Sequence, residues 1–260
     1  MSITYGLSRI VRFVSGRPRP FTTAIILAAG SGKRMESEVP KQFIMLEGIP
    51  VLAHTLLAFQ KCKYIDEIIV VTKNEDSAFV RSIAEEYKIK KFTHTVCGGD
   101  ERFDSVINGM TAVGEKTGFV AIHDSARCLI TPSQIAEVVS AAYAYNAATA
   151  GSPVKDTVKK VSPDGFILET PERSQMWNAA TPQVFRAPMY RAAAITVKKA
   201  GLSPTDDNMV VEYIGQRIKM VNTGYENIKL TTKEDLPTAE TILRKRREEV
   251  EKSQKKGKKK

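Results

Sequence analysis

Cysteine and histidine are scarce in this chain of 260 residues, and neither is spaced as a ligand set. The three cysteines (Cys62, Cys97 and Cys128) form no C-x-x-C pair, which argues against a disulfide framework or a zinc site. No apolar run approaches the roughly 20 residues that a membrane-spanning helix needs. We therefore expect no membrane segment and a reducing, cytoplasmic compartment. A catalytic metal would be a hard cation held by carboxylate and phosphate oxygens.

The positive charge is concentrated at the two ends. The formal net charge is +10, residues 1–22 carry four arginines and no acid, and residues 244–260 carry ten lysines or arginines against three glutamates. This leaves residues 23–243 close to neutral, whereas a domain that binds a nucleic-acid groove carries its positive charge on the fold. We expect a basic N-terminal extension (1–22), one central domain (23–243), a Lys-rich C-terminal tail (244–260) and no specific nucleic-acid partner.

The N-terminal extension leaves one alternative open. Residues 7–14 are basic, amphipathic and free of acids, as in an organelle transit peptide, so plastid-type targeting is an alternative to the cytoplasm. The Arg-Pro-Arg-Pro sequence at 17–20 would interrupt a helix there. We favour a non-catalytic extension.

Apolar strands alternate with helical patterns from residue 23 onward. Strands are predicted at 23–29, 67–72 and 119–123, and helices at 50–60, 75–87 and 131–145. The strands are continuously apolar, which is typical of a parallel sheet buried on both faces. The last helix begins with Thr131-Pro132-Ser133-Gln134, a capping box. The pattern predicts a doubly wound α/β fold with ligands at the carboxyl ends of the strands.

A segment at about 151–176 interrupts the alternation. Two short strand-like pieces, at 154–161 and 166–170, flank the turn Ser162-Pro163-Asp164-Gly165. This predicts a β-hairpin arm that projects from the main sheet. Because an isolated hairpin is marginally stable in water, we expect the arm to contact a partner surface in a homodimer.

A glycine-containing loop after the first strand suggests a phosphate site. The loop Ala28–Gly30 is followed by Lys33, Arg34 and Lys41. Consecutive loop amides form a concave anion site, and the three cations add full positive charges. Neither G-x-x-x-x-G-K-[ST] nor G-x-G-x-x-G is present. We interpret the segment as a triphosphate grip, and the alternative is a strand followed by a tight basic turn.

Two further segments carry candidate site residues. The glycine turn in Cys97–Val106 opens a helix and suits a nucleobase or ribose, or is only a tight turn with a helix cap. Asp124 follows a predicted strand, where its carboxylate could hold Mg²⁺ against phosphate oxygens. The alternative for Asp124 is an ion pair with Arg127 that orders the loop.

The remaining candidates lie in the second half of the chain. Thr205-Asp206-Asp207 opens a further helix, as capping residues do, although Thr205 could face a phosphate. Lys229 lies between apolar residues after a turn at Gly224. A lysine in this setting points either into a site or, as most lysines do, toward solvent.

Taken together, the motifs resemble one known family. They occur between residues 28 and 231 in the order A-A-G-S-G-K-R-M, P-K-Q-F, G-G-D-E-R-F-D-S-V, H-D-S-A-R, P-V-K-D-T, T-P-Q-V-F, T-D-D and N-I-K-L-T. Over about 23–243 the chain resembles the 2-C-methyl-D-erythritol 4-phosphate cytidylyltransferases. The resemblance implies a Rossmann-like nucleotidyltransferase with a mostly parallel twisted sheet and a dimerising β-arm. It also implies transfer of CMP from CTP to 2-C-methyl-D-erythritol 4-phosphate, with Mg²⁺ or another divalent cation.

The resemblance further implies roles for individual residues. The catalytic residues would be Arg34, Lys41 and Lys229. The nucleotide-binding residues would be Ala28, Ala29, Gly30, Gly99, Asp100 and Ser105. The residues that bind the polyol phosphate would be Asp124, Arg127, Thr157, Arg173, Thr181 and Thr205, with Asp124 also on the metal. Cys128 stands where the family usually has proline and Ser125 where it usually has alanine, which bears on the rigidity of that loop.

Two other functions fit parts of this pattern. A cytidylyltransferase acting on D-ribitol 5-phosphate would share the loop after the first strand and the P-K-Q-F motif. A nucleotide-binding protein without catalysis would retain the fold. CTP-dependent release of pyrophosphate separates an enzyme from such a binding protein.

Overall fold

A central β-sheet organises the molecule. The computed structural model describes residues 18–30 and 39–257. The strands are β1 (Phe21–Leu27), β2 (Met45–Leu46), β3 (Ile49–Pro50), β4 (Glu67–Thr72), β5 (Phe92–Cys97), β6 (Thr117–Asp124), β7 (Ala147–Pro153), β8 (Lys160–Val161), β9 (Ile167–Glu169), β10 (Trp177–Arg186) and β11 (Lys219–Asn222).

Seven of these strands form one sheet in the order β11-β7-β10-β6-β1-β4-β5. β1 pairs in parallel with β4 and β6, β4 pairs in parallel with β5, and β11 pairs in parallel with β7. β10 runs antiparallel to both of its neighbours, β6 and β7. The predicted mostly parallel α/β fold is confirmed. The carboxyl ends of β6, β1, β4 and β5 therefore meet at one edge, where ligands bind in such sheets.

Helices cover both faces of the sheet. They are α1 (Val51–Lys61), α2 (Ser77–Glu86), α3 (Arg102–Thr111), α4 (Pro132–Tyr145), α5 (Ala187–Lys199), α6 (Asp207–Glu212) and α7 (Asp235–Gly257). The three predicted helices correspond to α1, α2 and α4. The capping box at α4 is present, since Gln134 N donates to Thr131 Oγ1 (3.3 Å) and Thr131 N donates to Gln134 Oε1 (2.9 Å).

Two apolar clusters fill the space between sheet and helices. One holds the buried stripes of α1, α2 and α4, including Leu56, Ile83 and Val138. The other holds those of α3, α5 and α6, including Val106 and Tyr190. The sheet is thus buried on both faces, as its continuously apolar strands predict.

The end segments join the fold further than the charge pattern predicts. Phe21 and Thr22 belong to β1, and Arg19 Nη1 lies 2.6 Å from Asp66 Oδ2, so the domain begins before the predicted boundary at 22/23. The boundary predicted at 243/244 falls inside α7. The first half of this helix packs on a third apolar cluster through Ala239, and Arg246 Nη1 donates to the carbonyl oxygen of Leu129 (2.7 Å).

The predicted arm is a hairpin. β8 and β9 pair antiparallel as a separate two-stranded sheet, and β7 and β10 connect it to the main sheet. The paired strands are shorter than the predicted pieces at 154–161 and 166–170. In the part of the chain that the structure describes, no helix has the length and apolar character to cross a bilayer.

Candidate active site

A cleft of about 610 Å³ opens at the carboxyl ends of β6, β1, β4 and β5. Three loops and the start of α3 form its walls. Its lining includes Ala28, Ala29, Gly30, Lys41, Gln42, Lys73, Gly98, Gly99, Asp100, Arg102, Ser105, Asp124, Ser125 and Lys229. The full lining holds four cationic side chains (Lys41, Lys73, Arg102 and Lys229) and four carboxylates (Glu75, Asp100, Glu101 and Asp124), so its formal charges balance.

The loops after β1 and β5 touch each other across β4. A Cβ atom on Gly98 would lie 2.5 Å from Cβ of Ala29, and a Cβ atom on Gly99 would lie 2.4 Å from Cβ of Asp104. Neither position has room for a side chain. On the other side, Ala28 N donates to the carbonyl oxygen of Val71 (2.7 Å). Close packing of backbone therefore fixes the distance between the two loops.

Ser105 presents a hydroxyl group to the cleft from the first turn of α3. Gly99 N donates to Ser105 Oγ at 3.0 Å, which uses a lone pair of the oxygen and leaves its proton available. Ser105 is buried, whereas Asp100 beside it is exposed. A buried hydroxyl donor next to a carboxylate can recognise the polar edge of a base or a ribose.

Asp124 is the centre of a charge network at the floor of the cleft. Lys229 Nζ lies 2.7 Å from Asp124 Oδ2, and Arg102 Nε lies 3.2 Å from Asp124 Oδ1. Burial opposes ionisation of this carboxyl group, but the charges of Arg102 and Lys229 outweigh it and hold the pKa of Asp124 well below its usual range. Asp124 is therefore an anion at neutral pH.

Arg102 also pairs with a second carboxylate, that of Asp207. Its Nη2 atom lies 2.8 Å from Oδ2 of Asp207, which is only 1% exposed, and Tyr190 donates its hydroxyl to Asp207 Oδ1 (2.7 Å). Burial acts to lower the pKa of Arg102, but the two carboxylates more than offset this and raise it. The guanidinium group is thus a permanent charge locked between Asp124 and Asp207.

A chain of hydrogen bonds holds the backbone at Asp124. Asp124 N donates to Thr181 Oγ1 (3.0 Å), and Thr181 Oγ1 lies 3.0 Å from His123 Nδ1. His123 Nε2 lies 3.3 Å from the carbonyl oxygen of Arg127, which can only accept. Nε2 therefore carries the proton, and Nδ1 accepts from Thr181. Burial lowers the pKa of His123 to about 3, so the imidazole is neutral at pH 7.

Comparison with known proteins identifies the family. The model of the 2-C-methyl-D-erythritol 4-phosphate cytidylyltransferase family (IspD) matches residues 22–245. The chain belongs to this family. The cytidylyltransferase of Pelotomaculum thermopropionicum is 42% identical over 224 residues, 86% of this chain and 94% of that protein. That of Caldanaerobacter subterraneus is also 42% identical over 224 residues, which are 86% of this chain and 99% of that one.

Solved structures of the family have the same fold. The 4-diphosphocytidyl-2C-methyl-D-erythritol synthase of Anaerococcus prevotii superposes with a TM-score of 0.78 at 31% identity, over 86% of this chain and 96% of that one. The cytidylyltransferase of Francisella tularensis superposes with a TM-score of 0.71 at 28% identity, over 85% and 99% of the two chains. The predicted family and the predicted Rossmann-like sheet are confirmed.

The cleft brings together most residues that the family resemblance singled out. Ala28, Ala29, Gly30, Lys41, Gly99, Asp100, Ser105, Asp124 and Lys229 all line it. Of the two orientations considered for Lys229, the side chain points into the site, where it pairs with Asp124. Arg34 and Lys33 lie outside the described residues. The catalytic and binding roles of these residues stay predictions.

Five other predicted residues lie outside this lining. Thr181 acts through the backbone of Asp124, and Arg127 donates from Nη1 to the carbonyl oxygen of Asn227 (2.9 Å). The alternative of an Asp124–Arg127 ion pair is wrong, since the partners of Asp124 are Arg102 and Lys229.

The other three predicted residues are all exposed. Thr157 and Arg173 lie on the arm, where Arg173 Nη1 donates to the carbonyl oxygen of Lys155 (3.3 Å). Thr205 precedes α6, whose capping side chain is that of Asp206, which accepts from Met209 N. The expected capping physics is therefore confirmed, one residue later than Thr205.

Sequence reasoning missed Arg102, His123 and Gly98. Arg102 is the first residue of α3 and stands inside the G-G-D-E-R-F-D-S-V motif, so a cation at the start of a helix beside a glycine turn was an available signal. His123 directly precedes Asp124 at the end of β6. Nothing in the local sequence shows that their partners, Asp207 and Thr181, lie nearby.

Within the described residues, no group of three or more His, Cys, Asp or Glu side chains could hold a metal ion. A site made by protein ligands alone is therefore not formed there. The Asp124 carboxylate is ionised and lines the cleft, and each of its oxygens retains lone pairs beyond its ion pair. This donor fits Mg²⁺, which typically takes one or two carboxylates, several waters and substrate phosphates.

Proposed function

We propose that this protein transfers CMP from CTP to 2-C-methyl-D-erythritol 4-phosphate and releases pyrophosphate. The observation that carries the proposal is the cleft itself, in which Arg102 and Lys229 pair with the ionised carboxylate of Asp124 and two glycine loops and Lys41 complete the lining. The relatives named above carry the name of this activity.

In the proposed reaction, a phosphate oxygen of the polyol phosphate attacks the α-phosphorus of CTP. The new phosphorus–oxygen bond forms as the bond to the bridging oxygen of the β-phosphate breaks, and pyrophosphate leaves with that electron pair. No covalent bond to the protein is needed, because such transfers depend on positioning and on neutralising charge. Lys41 and Lys229 provide that neutralisation, together with Arg34.

The nucleotide would lie across the two touching loops. The backbone of Ala28–Gly30 faces the phosphates, and Gly99, Asp100 and the Ser105 hydroxyl face the base and ribose. Since the loops pack on each other through Ala29 and Gly98, the site holds both ends of the nucleotide at a fixed spacing. Such preorganisation avoids a reorganisation cost during the reaction.

Asp124 would hold Mg²⁺ against the phosphates. When bound, the ion neutralises phosphate charge and orients the leaving group. Three residues of the chain maintain Asp124 as a metal ligand. Arg102 and Lys229 keep its carboxyl group ionised, and Thr181 accepts a hydrogen bond from its backbone N–H. Other divalent cations of similar charge fit the same oxygen ligands.

The arm would join two copies of the chain. Thr157 and Arg173 are exposed on the arm, outside the cleft lining of their own chain, and the apolar residues near its tip are exposed as well. In a homodimer, these two side chains would reach the polyol phosphate in the neighbouring subunit's cleft. This arrangement would give Thr157 and Arg173 a substrate contact although they lie outside the cleft lining of their own chain.

The test is pyrophosphate release from CTP and Mg²⁺, with 2-C-methyl-D-erythritol 4-phosphate and D-ribitol 5-phosphate in parallel assays. Release with the first polyol phosphate is expected. Release with ribitol phosphate alone would show that the enzyme is a cytidylyltransferase that acts on D-ribitol 5-phosphate. No release with either one, while CTP binds, would favour a binding protein without catalysis.

A further inference from the structure

The amide group of Gln42 is a buried donor without a protein partner. Gln42 is 1% exposed and lines the cleft, and its Nε2 atom has no hydrogen-bond partner among the described residues. Leaving a buried donor unpaired costs roughly 1–3 kcal/mol. Such groups are rare in folded proteins, so each one calls for a specific reason.

This amide differs from the other unpaired groups in its position. The other buried side-chain atoms without a partner in the described residues are Thr72 Oγ1, Asp76 Oδ2, Arg127 Nε, Asn208 Oδ1 and Asn227 Oδ1. None of those residues lines the cleft. Gln42 alone in this set combines an unpaired buried donor with a place in the ligand cleft.

The local fold holds Gln42 in place. It is the middle residue of a single 3₁₀ turn, Lys41–Phe43, which the hydrogen bond from Phe43 N to the carbonyl oxygen of Pro40 (2.8 Å) closes. Phe43 is buried and its ring meets that of Phe79 edge-on at 4.8 Å between centroids. Phe43 thus anchors the backbone of the turn, which fixes the position of Gln42 beside the cleft.

We infer that Gln42 is a ligand-positioning residue whose Nε2 donates a hydrogen bond to an oxygen of the CTP triphosphate. The inference rests on the proposed function, since it needs a nucleotide in this cleft. Gln42 directly follows Lys41, and the triphosphate of the proposed ligand CTP carries many oxygen acceptors. Lysine contributes charge from a flexible stem, whereas a fixed amide selects one oxygen position.

A substitution of Gln42→Met tests this inference, because methionine has a similar length and no donor. We expect the dissociation constant of CTP with Mg²⁺, measured by titration calorimetry, to rise about tenfold, as for loss of a hydrogen bond to a charged group. The thermal midpoint of the unliganded variant should equal or exceed that of the wild type, since an unsatisfied donor has been removed.

The matched control is Gln216→Met. The amide of Gln216 donates to the carbonyl oxygen of Arg217 (2.7 Å) and lies outside the cleft lining. Its loss should lower the thermal midpoint slightly and leave CTP binding unchanged. Gln42→Met should therefore weaken CTP binding without loss of stability, and Gln216→Met should lower stability without weakening CTP binding.

Two results would overturn the inference. One is a CTP dissociation constant of Gln42→Met within twofold of the wild type. The other is a lowered thermal midpoint, which would show that the protein itself uses the amide. Wild-type protein that binds CTP but releases no pyrophosphate with either polyol phosphate would instead refute the proposed reaction, and the Gln42 comparison would still be decided.

Discussion

The charged side chains around Asp124 in the cleft have partners within the chain, whereas many side chains of the arm are exposed to solvent. In the cleft, partners from distant parts of the same chain hold the charged groups around Asp124, as Asp207 holds Arg102 at 2.8 Å. In the arm, the apolar side chains of Val161, Phe166 and Ile167 are 53%, 71% and 62% exposed. One region has its partners within the chain, and the other presents apolar surface to solvent.

The cleft and the arm differ in where their side chains find partners. In the cleft, the charged groups around Asp124 are paired within the chain, since Arg102 and Lys229 both contact Asp124 and Arg102 also contacts Asp207. The arm has exposed apolar residues on a two-stranded hairpin, which is at most marginally stable alone. We therefore expect substitutions in the cleft to act on catalysis or folding within one chain, and substitutions in the arm to act on association.

The largest effect is expected for Lys41→Ala in the cleft. Removal of one positioned group that stabilises the transition state typically costs about 10²–10³-fold in turnover. Steady-state pyrophosphate release would measure the loss. Lys199→Ala, at an exposed position on α5, is the control and should retain normal turnover. Turnover of the Lys41 variant within threefold of wild type would remove Lys41 from the catalytic residues.

Asp207→Asn should have the next largest effect, this time on stability. It leaves Arg102 with one carboxylate partner instead of two, and breaking a buried ion pair costs about 3 kcal/mol or more. Urea unfolding measures the free energy of unfolding. In a double-mutant cycle with Arg102→Met, the two changes should cost less together than the sum of the single changes. Additive effects would show that the pair is not coupled.

The arm is tested by Ile167→Asp. A charge on this exposed apolar strand should weaken the proposed homodimer by about tenfold or more in its dissociation constant, which sedimentation velocity would measure. Ile195→Asp is the matched control, since Ile195 is also a half-exposed isoleucine but lies on α5. A wild-type protein that is monomeric throughout, or equal effects of both variants, would contradict the role of the arm.

The smallest effect is expected at the amino ends of the strands, for Asp66→Asn. Burial opposes ionisation of Asp66, but Arg19 and the backbone N–H of Thr22 outweigh it and lower its pKa. A carboxyl group with a lowered folded-state pKa stabilises the fold above its unfolded pKa of about 3.9 and loses this contribution as the pH falls through the folded value. The variant should be less stable at pH 7, by about 1 kcal/mol, and equal to wild type in strong acid.

Thermal unfolding at neutral and acidic pH measures this difference. Because the Arg19–Asp66 pair is partly exposed, its contribution should also shrink in high salt. A difference that stays constant from pH 7 to pH 3 would contradict the assignment. The contribution of this partly exposed pair to the free energy of unfolding can then be compared with that of the buried Arg102–Asp207 pair.

The sheet and many residues of the cleft can be predicted from the sequence. Continuous apolar strands and the capping box at Thr131 are local patterns, and so is the position of Asp124 at the end of β6. The charge network is not local, since Arg102 and Asp207 are 105 residues apart in the chain. Spacing rules describe one element at a time and cannot pair side chains over that separation.

The C-terminal segment shows a different reason for a missed feature. Its many charges predict a solvated tail, but Leu236, Ala239 and Ile242 form a stripe at helical spacing just before it. The helix that begins there continues through the charged residues to Gly257. The predicted boundary at 243/244 lies where the charge changes, whereas the backbone becomes helical earlier, at Asp235.

The contact between Ala29 and Gly98 constrains the order in which this site can change over generations. A methyl group at position 98 would collide with the methyl group of Ala29, so alanine is excluded there while Ala29 is present. Ala29→Gly would remove the closest obstacle and leave Ser105 Oγ, at 3.0 Å, as the next atom that must shift, whereas Gly98→Ala in the presence of Ala29 would meet both. A drift in nucleotide preference through these loops would therefore have to start at position 29, and pairs of sequences that differ at 98 alone should be rare.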